Sequence, residues 1–147
     1  MLYSELQCSE AIHKAVERMG FAEMTEVQEK TIPVMLAGRD VIAKAPTGTG
    51  KTMAFGIPII EKIDPDSEEV QAVIMAPTRE LAMQITDEMR DIAVYHEGVR
   101  LVCLYGGQPI GKQINALKRK PQIVVATPGR LSDHMKRRTV VLKAVKT

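Results

Sequence analysis

Residues 41–62 set the strongest limit on what this chain can fold into. A short apolar run at residues 41–45 leads into Pro46-Thr47-Gly48-Thr49-Gly50, and a helical pattern follows over residues 51–62. Glycines let such a loop turn so that several N–H groups converge on one anion, and the helix behind adds its positive N-terminus. Strand, glycine-bearing loop and helix in that order is the context that makes a phosphate loop credible. On this reading Pro46, Thr47, Gly48, Thr49 and Gly50 cradle phosphates, Lys51 reaches the β- and γ-phosphates, and the Thr52 hydroxyl completes a Mg²⁺ shell. The strict pattern begins with glycine, where this chain has Ala45. The plainer reading is a glycine turn that caps a helix. The loop alone does not choose between kinase, GTPase, motor and helicase.

The surrounding pattern extends the same architecture. Ser9 reads as an N-cap, with Ala11, Ile12, Ala15, Val16 and Met19 at helical spacing and Gly20 closing the run. A second helix is expected from Thr25 to about Leu36, disturbed by Pro33. Residues 41–45, 72–76, 99–105 and 123–126 read as strands. Each is followed by a helical stretch, at about 51–62, 79–96, 111–119 and 129–137. Four strand-then-helix units after two helices predict an α/β fold, a parallel sheet with helices on both faces. Ligands in such folds bind beyond the carboxyl ends of the strands.

Charge divides the chain. Residues 1–97 hold nine Lys+Arg against 17 Asp+Glu, and residues 98–147 hold eleven against the single acid Asp133. The basic second half points to a polyanion partner or, more blandly, to a solvated basic face. There is no Trp, and only Tyr3, Phe21, Phe55, Tyr95 and Tyr105 are aromatic, which argues against base-stacking platforms for single strands. A nucleic acid would be held by its backbone. Cys8 and Cys103 read as free thiols of a reducing, cytoplasmic setting. No run reaches the roughly 18 apolar residues of a membrane span, and the first residues do not read as a signal peptide. His13, His96 and His134 show no metal-ligand spacing with the cysteines.

Several further patterns have double readings. Thr25-x-x-Gln28 fits a capping box at a helix start, and the Gln28 amide also fits the adenine edge, accepting from N6 and donating to N7. Phe21 fits either a hydrophobic staple or a stacking surface for a base. Thr78-Arg79 and Thr127-x-x-Arg130 each follow a predicted strand and open a predicted helix, where N–H groups, hydroxyl and guanidinium can hold phosphate. Surface ion pairing is the plainer role for both arginines. Lys118-Arg119-Lys120 and Lys136-Arg137-Arg138 end two predicted helices, where cations favour the helix dipole.

The motifs together resemble those of the DEAD-box RNA helicases. Gly20-Phe21 and Thr25-Glu26-Val27-Gln28 look like the Q motif. Residues 45–52 resemble motif I, and Pro77-Thr78-Arg79-Glu80-Leu81-Ala82 matches motif Ia letter for letter. Gly106-Gly107 resembles the GG element, and Thr127-Pro128-Gly129-Arg130 matches motif Ib. The order and spacing are the family's, from residue 3 to residue 131. Met24 stands where the family usually has Pro, and Tyr3 where it usually has an isolated Phe. Motif II, Asp-Glu-Ala-Asp, motif III and a second RecA-like domain do not occur in these 147 residues.

The resemblance implies a RecA-like P-loop NTPase fold, with residues 1–37 as Q-motif helices, residues 38–147 as the P-loop core, and the chain an N-terminal part of a helicase. It implies ATP and Mg²⁺ at Phe21, Thr25, Gln28 and residues 46–52, with Lys51 and Thr52 the catalytic contribution. It implies RNA backbone at Pro77, Thr78, Arg79, Gly106, Gly107, Thr127, Pro128, Gly129 and Arg130. The implied activity is ATP-dependent local unwinding of RNA by the whole protein, with no turnover by this stretch alone. Missing central strands would leave open edges on the strand at 41–45. The alternatives are another nucleic-acid ATPase, such as a DNA helicase, or a non-catalytic RNA-binding module.

Overall fold

A computed structural model describes residues 1–46 and 50–147. Six helices and three strands follow in the order α1 Glu10–Arg18, α2 Glu26–Leu36, α3 Lys51–Glu61, β1 Ala72–Met75, α4 Arg79–Ile92, β2 Leu101–Leu104, α5 Ile110–Leu117, β3 Ile123–Ala126 and α6 Pro128–Lys136. A short 3₁₀ turn, Tyr3–Glu5, precedes them. The chain forms two compact units, one of Met1–Lys62 with Glu88–Glu97, the other of Ile63–Asp87 with Gly98–Thr147.

The first unit is helical. Ser9 caps α1 by accepting from the Ile12 N–H, and Thr25 caps α2 by accepting from Gln28 N–H. Both caps stand where the sequence places them. Helix α2 continues through Pro33 to Leu36, so the proline does not end it. Packing against α3 holds α2 in place, and Ile32, Ile57 and Ile60 are fully buried. Tertiary packing of an apolar face outweighs one missing N–H. Gly56 of α3 lies under α4, where an added Cβ would stand 2.9 Å from Ile92 Cδ1.

The second unit holds a parallel sheet of order β1-β3-β2. All four residues of β3 are buried, as expected for a central strand covered on both faces. Val102, Leu104, Val124 and Ala126 form one apolar core with Val70, Leu117, Leu131 and Val140. Gln122, fully buried just before β3, accepts from the Arg100 N–H at 2.7 Å and donates toward the carbonyls of Gly98 and Pro65 at 2.9 and 3.1 Å. One amide thereby satisfies three backbone groups of the loops below the sheet.

The expected strand at residues 41–45 does not form. Residues 41–46 carry no regular structure, and Ile42 is 97% exposed. Strand propensity needs a neighbouring strand to bond and pack against, and no described residue forms a ladder with this segment. Among the described residues the sheet therefore has three strands, not four, while α3 forms as predicted with no described strand before it.

Candidate functional site

The described part of the expected phosphate loop is built around Gly50. It takes φ +80°, the left-handed region open to glycine, and it starts α3 at Lys51. A Cβ at this position would overlap Gln28 Nε2. Lys51 is exposed and Thr52 half-buried in the first turn of α3; Pro46 is exposed; Thr47, Gly48 and Thr49 lie outside the described residues.

Gln28 is buried beside this turn and committed on both ends of its amide. Nε2 donates to the Gly50 carbonyl at 3.1 Å, and Oε1 accepts from the Thr25 N–H at 3.0 Å and from the Tyr3 hydroxyl. The capping box is thus formed. Both lone pairs of Oε1 and one hydrogen of Nε2 are in use. Tyr3 itself is buried, which pushes its phenol up to about 12. Phe21 is half exposed, so it does not act as a buried staple and leaves a ring face toward solvent.

The second unit gathers the other candidates along one row. Met75 of β1 is in register with Ala126 of β3, and Ala126 with Leu104 of β2. The three strands end level. The Ala76 N–H donates to the Ala126 carbonyl at 3.0 Å and the Thr127 N–H to the Leu104 carbonyl at 2.9 Å. Pro77-Thr78-Arg79, Thr127-Pro128-Gly129-Arg130 and Gly106-Gly107 therefore leave the sheet side by side, spaced by about 4.8 Å per strand. Helices α4 and α6 start at Arg79 and Pro128, so two helix N-termini open at this edge.

Each side chain there has a distinct setting. Thr78 Oγ1 accepts from the Leu81 N–H at 3.2 Å and caps α4, whereas the Thr127 hydroxyl makes no capping bond. The exposed Arg79 guanidinium lies 4.8 Å over the Tyr105 ring, a cation–π contact that holds it in place. Gly107 has φ +91°. Arg130 turns inward: Nη1 donates to the Gln108 carbonyl at 3.1 Å, Nε lies 3.8 Å from Asp133, and the side chain is only 15% exposed.

Sequence reasoning missed three supports of these residues, namely the Tyr3 hydroxyl on Gln28, the Tyr105 ring under Arg79, and the Gln113 and His134 side chains behind Arg130. Only the last left a local trace, since Arg130 and His134 are four apart and share a helix face. His13 and His96 pair with Cys8 and Ser9 at 3.5 and 3.2 Å. Among the described residues no group of three or more His, Cys, Asp or Glu is placed to hold a metal ion. No described helix is long and apolar enough to cross a membrane.

Residues 25–147 match the DEAD/DEAH box helicase family. The DEAD-box ATP-dependent RNA helicase CshA of Bacillus licheniformis is 52% identical over 99% of this chain and 30% of its own length. The ATP-dependent RNA helicase CshA of Listeria monocytogenes is 54% identical over 99% of this chain and 28% of its own length. The chain thus spans less than a third of these relatives. A crystal structure of a DEAD box protein from Methanococcus jannaschii superposes with a TM-score of 0.92 at 40% identity, covering 99% of this chain and 39% of that one. A hypothetical ATP-dependent RNA helicase from Sulfolobus tokodaii gives 0.83 at 42% identity over 93% of this chain and 40% of that one. With a matching sheet and a family match over most of its length, the chain belongs to the DEAD/DEAH box helicases and has their RecA-like fold.

Proposed function

We propose that this chain supplies ATP-site and RNA-site residues of an ATP-dependent RNA helicase. The observation that carries the RNA half is the level row of strand ends, where Arg79, Gly106-Gly107 and Thr127-Pro128-Gly129 lie side by side with two helix N-termini. All of these groups suit phosphate and none reads a base edge, so binding is independent of sequence. RNA is preferred over DNA through the 2′-hydroxyl.

The described residues also fit a nucleotide. The absence of a Cβ at Gly50 lets the Gln28 amide lie against the turn, and the first N–H groups of α3 follow it. Lys51 would hold the β- and γ-phosphates, Thr52 would hold Mg²⁺ through its hydroxyl, and Mg²⁺, when bound, neutralises phosphate charge. Gln28 keeps a second Nε2 hydrogen for adenine N7, and Phe21 presents a ring for the base. Closure on RNA and hydrolysis belong to the whole protein with its second RecA-like domain.

The test is ATP hydrolysis by the complete gene product, with and without RNA. RNA should stimulate turnover more than DNA does. Lys51→Ala should abolish turnover yet leave nucleotide-free RNA binding in place, and Arg79→Ala should weaken RNA binding. Stimulation by DNA alone, or RNA binding indifferent to Arg79, overturns the reading.

A further inference from the structure

Behind the row of strand ends lies a buried polar network that the motifs do not include. Gln113 of α5 and His134 of α6 are 1% and 0% exposed. Gln113 Nε2 donates to the Tyr105 carbonyl at 2.8 Å and to Gln108 Oε1 at 3.0 Å. A carbonyl only accepts, so the amide orientation is fixed and Oε1 faces the other way. There it lies 2.8 Å from His134 Nε2 and 3.4 Å from Arg130 Nη1. Arg130 in turn holds the Gln108 carbonyl. Gly106 and Gly107 are thus gripped on both flanks, at residue 105 by Gln113 and at residue 108 by Arg130 and Gln113.

We propose that Gln113 is a positioning residue for RNA binding, clamping the Gly106-Gly107 loop to the N-terminus of α6 with Arg130, and that His134, donating from Nε2, orients it. The inference rests on the reading of this edge as the RNA face. Two glycines in sequence have wide conformational freedom, and a loop that must offer backbone to phosphate gains affinity when held in its bound shape. The two acceptors of Gln113 Nε2 both lie in that loop, and its acceptor faces both α6 side chains. Because Gln113 Oε1 accepts, His134 Nε2 carries a proton, and Nδ1 lies 2.8 Å from the Thr139 hydroxyl, which donates to the His134 carbonyl at 3.1 Å.

The test uses the complete gene product and measures affinity for a single-stranded RNA and, separately, for ATP. Gln113→Glu keeps the size and the acceptor facing α6 but removes both donations to the loop. RNA affinity should fall on the order of tenfold, the worth of one to two such bonds, with ATP affinity within twofold. Gln113→Met should behave alike; if it does not fold, Gln113→Glu decides. In an Arg130→Ala background, Gln113→Glu should add less than a twofold loss, since the clamp is already open. Additive losses, or an unchanged RNA affinity in Gln113→Glu while Arg79→Ala weakens binding, overturn the clamp. Unchanged affinity in Arg79→Ala as well overturns the RNA face and the clamp with it.

Discussion

The Tyr3 hydroxyl and the Gln28 amide oxygen are hydrogen-bonded partners, and that same oxygen already accepts from the Thr25 N–H at 3.0 Å. A residue at the start of the chain thus occupies the acceptor that an adenine N6 amino group would use. Tyr3→Phe returns one lone pair to Gln28. Binding measured for ATP and GTP in parallel should show the preference for ATP rising by up to fivefold, about 1 kcal/mol for one hydrogen bond. An unchanged ratio would show that the nucleotide does not address Gln28 Oε1.

Gln28→Ala removes the reciprocal half of the capping box and the bond to the Gly50 carbonyl together. A loss of about 1–3 kcal/mol in folding stability is expected from the cap and the orphaned acceptor. Denaturant unfolding checks it. ATP affinity should fall further than this instability explains, and more than GTP affinity does. Equal losses for the two nucleotides would leave Gln28 a capping residue alone.

Acid pH acts through His134. Burial, with the Arg130 and Arg137 cations near it and against the pull of Asp133, holds its imidazole below the ordinary value of 6.5. The folded state therefore resists a proton that the unfolded state accepts. The stability contributed by the neutral ring is complete above about 6.5 and declines as pH falls below that value. Thermal unfolding at pH 5 to 8 in wild type and His134→Gln should show a steeper decline in wild type.

Alkaline pH acts through Tyr3 with the opposite sign. Its phenol is raised from 10.0 to about 12, so stability is intact below 10 and lost as pH rises toward 12. Tyr3→Phe should flatten that loss in alkaline denaturation. Cys8, pushed up to about 11 by burial and by Glu61, should react with iodoacetamide at pH 8 far more slowly than in urea-unfolded protein, because the thiolate is the nucleophile.

Arg79 and Tyr105 form a cation–π contact at the proposed RNA face. Tyr105→Leu removes the ring but leaves the arginine. RNA affinity should drop about two- to fivefold, in line with an exposed cation–π contact, and filter binding at two salt concentrations should show an unchanged salt slope. A shallower slope would mean that the arginine itself had left the phosphate.

Much of this was legible in the linear sequence because the deciding forces are local. Ser9 and Thr25 cap the helices they precede, and residues 123–126 form the buried strand that their uninterrupted apolar run predicts. Motifs Ia and Ib mark strand ends because Thr78 and Thr127 stand at strand-to-helix turns. What stayed hidden depends on distant partners. Residues 41–45 have a strand's composition but no strand beside them, and composition does not report the neighbour. Tyr3 reads as an aromatic, and its hydroxyl matters only because folding brings Gln28 to it. His134 reads as one of three scattered histidines until α5 sets Gln113 against it.

The order β1-β3-β2 has a consequence for how the protein is made. The middle strand is the last of the three to leave the ribosome, and its partners at Ala72 and Leu101 lie 51 and 22 positions earlier than Ile123. Neither outer strand can take its final hydrogen bonds until residue 126 has emerged. Parallel pairing over such separations is intrinsically slow, and in the interval residues 72–75 and 101–104 wait as bare apolar strands open to chaperones or to each other's copies. Insertion of β3 closes that interval and, in the same event, brings the three strand ends level.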